Sequence, residues 1–197
     1  MQPGGTPPRE PAEFSRILAF TDGVFAIAIT LLVLSIEVPA GLTGRELTEY
    51  LLDSWPQVFA YFLSFAVIGN FWVAHHRFFE MLHGFDGRLV ALNLAYLSLL
   101  VLVPFPTELL GDYTDRTDAV VLYAAVVGTT ALLGWLMVRY TLRRGHVRAD
   151  ARKAVAASGS LLPPLVFYAS IPVAFVSPLA AKLVWLGLLV EARPRRR

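Results

Sequence analysis

The amino-acid sequence predicts an all-α integral membrane protein with six transmembrane helices and both termini on the cytoplasmic side. Of its 197 residues, 56% are hydrophobic, and its mean hydropathy is +0.58. Soluble domains are typically about 45–50% apolar. Several apolar runs are also long enough to cross a hydrocarbon core of roughly 30 Å. The chain contains no cysteine, which excludes disulfides, thiolate metal sites and a cysteine nucleophile.

The chain begins with a Pro/Gly-rich stretch, residues 1–12, which we expect to form a disordered tail. The first helix is predicted over residues 15–37. Arg16 and Asp22 lie near its start, and no further charge follows until Glu37. A helix of this length extends about 34 Å at 1.5 Å per residue, which is enough to span a bilayer. Because ionisable groups in a membrane helix need partners or water, this helix is more than a simple anchor.

Five more helices are predicted over residues 56–79, 87–109, 117–141, 153–176 and 178–191. The second helix opens with Pro56, which suits a first turn because the backbone N–H there has no helical partner in any case. The six helices form one transmembrane domain over residues 13–191, followed by a basic tail over residues 192–197.

The last two helices are separated on the basis of proline positions. Residues 161–190 are long enough to form one continuous helix, but Pro163, Pro164 and Pro172 argue against a straight one. The Ser177-Pro178 pair is typical of a tight turn. We therefore predict that the fifth helix ends just before this pair.

The distribution of basic residues predicts the orientation. With both termini inside, the inner segments carry fourteen Lys and Arg residues, whereas the outer loops carry only Arg45 and Arg116. This asymmetry follows the positive-inside rule, and a five-helix arrangement would place the basic loop 139–153 or the basic tail outside. The inner residues are Arg9, Arg16, Arg77, Arg88, Arg139, Arg143, Arg144, Arg148, Arg152, Lys153, Arg193, Arg195, Arg196 and Arg197.

One face of the first helix carries Ile27, Leu31 and Leu34 at helical spacing, with Thr30 beside them. If several copies of this helix surrounded an axis, each apolar residue would form a ring that gates by dewetting, and Thr30 would add a ring of hydroxyls. From the pattern alone, packing against lipid or other helices is the simpler interpretation, because nearly every membrane helix has such a face.

Polar residues gather at the inner ends of the first three helices. Buried charged and amide groups need hydrogen-bonding partners, so we expect these side chains to form one cluster that holds the first helix in place. Thr21 lies near the inner end of the first helix, and the expected members of the cluster are Arg16, Asp22, Asn70, Trp72, His75 and Asn93.

The histidines of this region do not indicate a metal site. His75 and His76 are adjacent, so their side chains point about 100° apart and do not chelate as an i, i+4 pair would. The sequence also lacks the spacings typical of catalytic triads, zinc proteases and phosphate-binding loops. We predict that the protein is not an enzyme and has no catalytic residue, cofactor, metal or nucleic-acid partner.

The segment Arg16–Leu34, RILAFTDGVFAIAITLLVL, closely resembles the first-helix signature of the transmembrane protein 175 family. The family pattern is an arginine, three residues and then Phe-Ser-Asp. Thr21 stands at the serine position here and keeps the hydroxyl. Trp72–His75 and Leu102–Thr107 are also similar to the family, and the resemblance covers residues 14–110 well.

The resemblance implies a potassium-selective, or weakly selective, cation channel of six helices per repeat, without a TVGYG filter. A single-repeat prokaryotic member is expected to be a homotetramer in the cell membrane, with potassium as the permeant ion. Ile27 would form the gate, Leu31 and Leu34 further apolar layers, and Thr30 a selectivity position. Arg16, Phe20, Thr21 and Asp22 would hold the first helix against its neighbours. With the resemblance, pore lining replaces lipid packing as the prediction for this face.

Two alternatives remain open. The first is a proton channel or proton-coupled carrier that uses Asp22 and the histidines of the second helix, because intramembrane ionisable groups suit proton relays. The second is a membrane scaffold without transport, which an absence of oligomers larger than a dimer would favour.

Overall fold

The computed structural model describes the backbone of residues 9–191 and the side chains of residues 13–187. Within this part the regular secondary structure is helical, apart from one isolated antiparallel bridge between Leu82 and Val147. The α-helices are α1 (Arg9–Leu31), α2 (Gly44–Asp53), α3 (Trp55–Glu80), α4 (Gly87–Leu102), α5 (Pro104–Asp112), α6 (Thr117–Arg144), α7 (Arg152–Ser158), α8 (Leu162–Ala174) and α9 (Pro178–Glu191). A 3-10 helix, Leu32–Ser35, extends α1.

Five stretches of the described chain are long and apolar enough to cross a membrane. They coincide with the first five predicted helices, and the apolar part of α9, Pro178–Gly187, is shorter. The break before Pro178 lies where the Ser177-Pro178 pair predicts it, and Pro56 does occupy the first turn of α3. The five stretches are Glu13–Ser35, Trp55–Glu80, Gly87–Asp112, Thr117–Arg144 and Arg152–Ala174.

Two predicted helices are divided in the structure. The helix predicted over 87–109 is interrupted at Val103, because Pro104 cannot continue the backbone hydrogen bonding of α4. The helix predicted over 153–176 is interrupted between α7 and α8, just before Pro163 and Pro164. Treating each as one unbroken helix was wrong, although each divided pair still forms one membrane-length stretch.

The α2 helix was not predicted. It lies in the loop between the first two membrane stretches, and none of its ten residues is buried. A capping box starts it: Thr43 is the N-cap, and the Glu46 carboxylate accepts hydrogen bonds from the Thr43 backbone N–H and hydroxyl, both at 3.3 Å. At the N-terminus, α1 begins at Arg9, so residues 9–12 of the stretch that we expect to be disordered are helical. Residues 1–8 and the basic tail 192–197 lie outside the described part.

The core is built around α6, which packs against α4, α5, α8 and α9, while α1 packs against α3 and α4. Large aromatic side chains fill the centre, among them Phe25 on α1, Tyr123 on α6 and Trp185 on α9, each almost fully buried. The Tyr123 and Trp185 rings stack with centroids 5.0 Å apart. This arrangement leaves α1 at the edge of the bundle, with one face covered and the other open.

Candidate functional site

The two faces of α1 differ sharply in burial. Thr21, Phe25 and Ala28 point into the bundle and are at most 1% exposed. On the other face, Ile27 is 57% exposed and Leu34 is 67% exposed, so the described part of the chain leaves them largely uncovered. The exposed face also carries Phe20, Thr30 and Leu31.

A buried chain of hydrogen bonds ties α1 to α4 and α3. The Asn93 amide nitrogen donates to the Thr21 hydroxyl at 3.0 Å, and the Asn93 amide oxygen lies 2.8 Å from His75 Nε2. Because an amide oxygen only accepts, this geometry assigns the proton of His75 to Nε2. We call Thr21, Asn93 and His75 the buried anchor; each is at most 5% exposed.

Aromatic rings enclose the histidine of the buried anchor. The His75 ring stacks on Phe79 with centroids 4.2 Å apart and on Tyr96 at 5.4 Å. Phe25 lies against it at 5.7 Å. Polar groups buried among such rings are costly when unpaired, so the anchor favours a single position of α1 against α3 and α4.

Asp22 makes a separate contact. The Trp72 indole N–H donates to the Asp22 carboxylate at 2.9 Å, and Trp72 remains 40% exposed. Thr21 and Asp22 are adjacent in sequence, so their side chains point about 100° apart and reach different neighbours. The Asp22–Trp72 pair therefore lies at the edge of the covered face and is partly exposed.

The expected single polar cluster is thus divided in two, and it leaves out two residues. Within the described part of the chain, the Arg16 side chain is exposed and has no hydrogen bond or ion pair, so it does not join the cluster inside one protomer. Asn70 is exposed too, because it lies five residues before His75, about 140° around α3. Phe20, which the resemblance places against neighbouring helices, is 55% exposed in one protomer.

Sequence reasoning missed a second buried polar group in the bundle. The Ser64 hydroxyl lies 2.7 Å from the Thr107 hydroxyl and 3.1 Å from the Tyr123 hydroxyl, which ties α3 to α5 and α6. Thr107 also donates to the Val103 carbonyl at 2.8 Å, where α4 and α5 meet. A signal for this group was present in the sequence, because polar side chains such as Ser64 and Thr107 within apolar membrane helices need hydrogen-bonding partners.

A further contact fixes the start of α4, the helix that carries Asn93. Asp86 is the N-cap, and its carboxylate accepts from the Leu89 backbone N–H at 2.8 Å. The Tyr140 hydroxyl also donates to Asp86, and His146 Nε2 lies 3.4 Å away. The hydrogen bonds from Tyr140 and then Leu89 lower the pKa of Asp86 to about 2, so this carboxylate is ionised at neutral pH.

Comparison with known proteins places this geometry in one family. A family model described as the endosomal/lysosomal potassium channel TMEM175 matches residues 16–104. A Streptomyces collinus protein named as a potassium channel is 41% identical over 177 residues, which cover 84% of each chain. A Danio rerio protein named as the endosomal/lysosomal proton channel TMEM175 is 27% identical over 130 residues, covering 64% of this chain and 24% of that protein.

A solved structure has the same fold. The crystal structure of a lysosomal potassium-selective channel TMEM175 homolog from Chamaesiphon minutus matches with a TM-score of 0.83 and 32% identity. The match covers 93% of this chain and 98% of that one. Together with the membrane-length helices and the relatives named as potassium channels, this match shows that the protein is a multi-pass membrane protein. The chain therefore belongs to the TMEM175 family of ion channels.

Proposed function

We propose that this chain forms a homotetrameric channel for monovalent cations that is selective, or weakly selective, for potassium. In this proposal six helices cross the cell membrane and both termini are cytoplasmic. The observation that carries it is the α1 helix, whose inner face is fixed by the buried anchor while Ile27 and Leu34 stay uncovered. The bacterial relative named as a potassium channel supports the choice of ion.

The proposed gate is hydrophobic. Four copies of α1 around an axis would place Ile27 at the narrowest ring, with Leu31 and Leu34 forming further apolar layers. Water leaves such rings readily, so ions pass only when the rings widen or become wet. Membership of an ion-channel family also supports our proposal that the protein is not an enzyme and needs no cofactor beyond the permeant ion.

Thr30 is the proposed selectivity position. Its hydroxyl donates to the Ile27 carbonyl at 2.9 Å, which leaves the oxygen lone pairs available to a passing cation. A ring of such oxygens one turn from the gate would replace part of the hydration shell of the ion. Arg16, Phe20 and Asp22 face outward or sit at the edge of the protomer, and we propose that they contact the neighbouring subunit.

The first prediction tests the gate. Purified protein in liposomes should pass potassium faster than sodium. Ile27→Asn should raise the potassium flux several-fold, because an amide keeps the narrow ring wet. The matched control is Val33→Asn, since Val33 is 53% exposed but lies about 120° around the helix from Ile27. Equal fluxes in both variants would show that Ile27 does not line the narrowest point. The absence of any cation flux would contradict the proposal that the protein is a channel.

A second candidate is a proton channel or proton-coupled carrier that uses Asp22 and the histidines of α3. The vertebrate relative named as a proton channel favours it. Against it, His75 is committed to Asn93 and Asp22 to Trp72, in two separate contacts. A proton path would have to join them through the assembled pore.

The second prediction separates the two candidates. Liposomes carrying a pH gradient should acidify slowly with and without potassium if the channel conducts potassium. A fast acidification that Asp22→Asn abolishes would instead support the proton candidate. His75→Gln is less useful here, because it disturbs the buried anchor as well as removing a titratable ring.

A further inference from the structure

A cavity of about 330 Å³ lies between α3, α4, α6 and the junction of α7 and α8. Its walls are mostly apolar and aromatic, with Phe71, Tyr96 and Trp135 among the lining residues. Its lining includes the last turns of α3, the second half of α6 and the α7–α8 junction. A cavity of this shape and lining suits part of a hydrocarbon chain.

One arginine lines this cavity and a second lies beside one of its lining residues, and neither has an anionic partner in the described chain. Arg77, in the last turn of α3, lines the cavity and is exposed. The Arg139 guanidinium lies over the Trp135 ring at 5.6 Å, which holds a second cation beside the wall. By contrast, Arg116 and Arg148 are paired with Asp118 and Asp150.

Neutral hydrogen-bonding groups complete the lining. Asn70 lies two turns before Arg77 on α3, and Ser158 and Ser160 lie on the opposite wall. Apolar walls with arginines at one end match an amphiphile that carries a negative head. Basic pockets between membrane helices on the cytoplasmic side bind anionic phospholipid head groups for this reason.

We propose that this cavity binds one anionic phospholipid. Its phosphate is held by Arg77 and Arg139, and one acyl chain enters between α3 and α6. Arginine suits a phosphate because its planar fork donates two parallel hydrogen bonds. Since His75 also lines the cavity, the lipid fills the space behind the buried anchor and supports the position of α1 from outside the pore.

The binding test does not depend on ion conduction, so its failure is distinct from failure of the proposed channel. Purified protein is released from detergent in a native mass spectrometer after equilibration with phosphatidylglycerol. Wild type should retain one lipid per protomer, and phosphatidylcholine should be retained less. Arg77→Gln should weaken retention by roughly fivefold, which is the effect of about 1 kcal/mol per basic residue. Arg139→Gln should act in the same direction.

Two matched controls keep the test specific. Arg88→Gln removes an exposed arginine at the same end of the bundle but outside the cavity, and it should retain lipid as wild type does. Ala74→Phe fills the cavity, whereas Ala66→Phe adds the same ring to an exposed position of α3 outside it. Retention should fall in Ala74→Phe alone, with wild-type oligomeric size in both variants.

Several outcomes overturn the proposal. Equal retention in Arg77→Gln, Arg139→Gln and Arg88→Gln would show that these cations hold no head group. Equal retention in Ala74→Phe and Ala66→Phe would place the lipid elsewhere. Displacement of bound phosphatidylglycerol by millimolar inorganic phosphate would assign the arginines to a soluble anion instead of a lipid.

Discussion

Asn93 is the residue on which the covered face of α1 depends, because it donates to Thr21 and accepts from His75 within an otherwise apolar interior. Its two hydrogen bonds connect three helices through one side chain. A buried donor or acceptor that loses its partner costs far more than the bond itself contributes. Removing one partner of the anchor should therefore lower the stability of the fold more than the hydrogen bond itself contributes, and removing both partners should cost little more.

The third prediction follows from that asymmetry. Asn93→Leu and His75→Phe should each lower the free energy of unfolding by about 1–3 kcal/mol, because each leaves a buried polar group unpaired. The double variant should lose no more than the larger single loss, since neither member of the pair remains. Denaturant unfolding in mild detergent measures all three. Simple addition of the two losses would contradict a direct contact between these residues.

The packing between helices is tight at the junction of α7 with α8. A Cβ placed on Gly159 would lie 2.7 Å from the Val138 Cγ1 atom on α6. Real carbon atoms do not approach so closely, so only glycine lets the chain turn here against α6. Gly134 differs, because a Cβ there would meet the Tyr96 ring at an ordinary 3.5 Å.

The fourth prediction uses this contrast. Gly159→Ala should destabilise the protein by about 1–3 kcal/mol through overpacking, and Val138→Ala should relieve part of that loss. Gly134→Ala should be close to neutral, since alanine favours a helix interior and meets no clash. Thermal unfolding followed by circular dichroism compares Gly159→Ala, Val138→Ala and Gly134→Ala with the double variant that combines Gly159→Ala and Val138→Ala. If Gly159→Ala is as stable as Gly134→Ala, the close approach of the α7–α8 junction to α6 is contradicted.

The sequence placed the membrane stretches well and their internal breaks poorly. Long apolar runs bounded by charges gave the positions of all five membrane-length stretches, because burial in lipid requires both length and composition. The break at Val103 depends on how Pro104 and Pro106 are accommodated by neighbouring helices, which hydropathy does not report. The α2 helix was missed because its residues are mostly polar and its signal is local capping, at Thr43 and Glu46.

The candidate site was predictable as a set of residues but not as a set of contacts. The motif placed Thr21, Asp22, Trp72 and His75 near one another, and these residues do make contacts. Which of them pair depends on the rotation of α1 and α3 about their axes, which spacing along one helix does not determine. Arg16 was included because a charge was expected to need a partner within the same chain.

The proposed role of the open face of α1 depends on the assembly of several subunits. Four protomers of 21.7 kDa should form a complex of about 87 kDa (four times 21.7) apart from bound detergent. Because the chain lacks cysteine, single introduced thiols can report which side of α1 water reaches.

The fifth prediction compares two adjacent positions. Leu34 and Val33 are 67% and 53% exposed in one protomer, and they lie on a 3-10 helix, about 120° apart. In the proposed tetramer, Leu34→Cys should react with a charged, membrane-impermeant thiol reagent and lose potassium flux. Val33→Cys should react slowly and keep its flux. If Val33→Cys reacts faster than Leu34→Cys, the Leu34 side of the helix faces lipid and the proposed pore is contradicted.

The buried anchor lies wholly inside one chain, which has a consequence for mixed populations of subunits. A subunit with a damaged apolar face and an intact anchor should still fold. If the proposed homotetramer forms, co-expression of such a subunit with wild type should yield hybrid complexes with impaired conduction. A subunit with a broken anchor should instead misfold and leave the wild-type complexes intact.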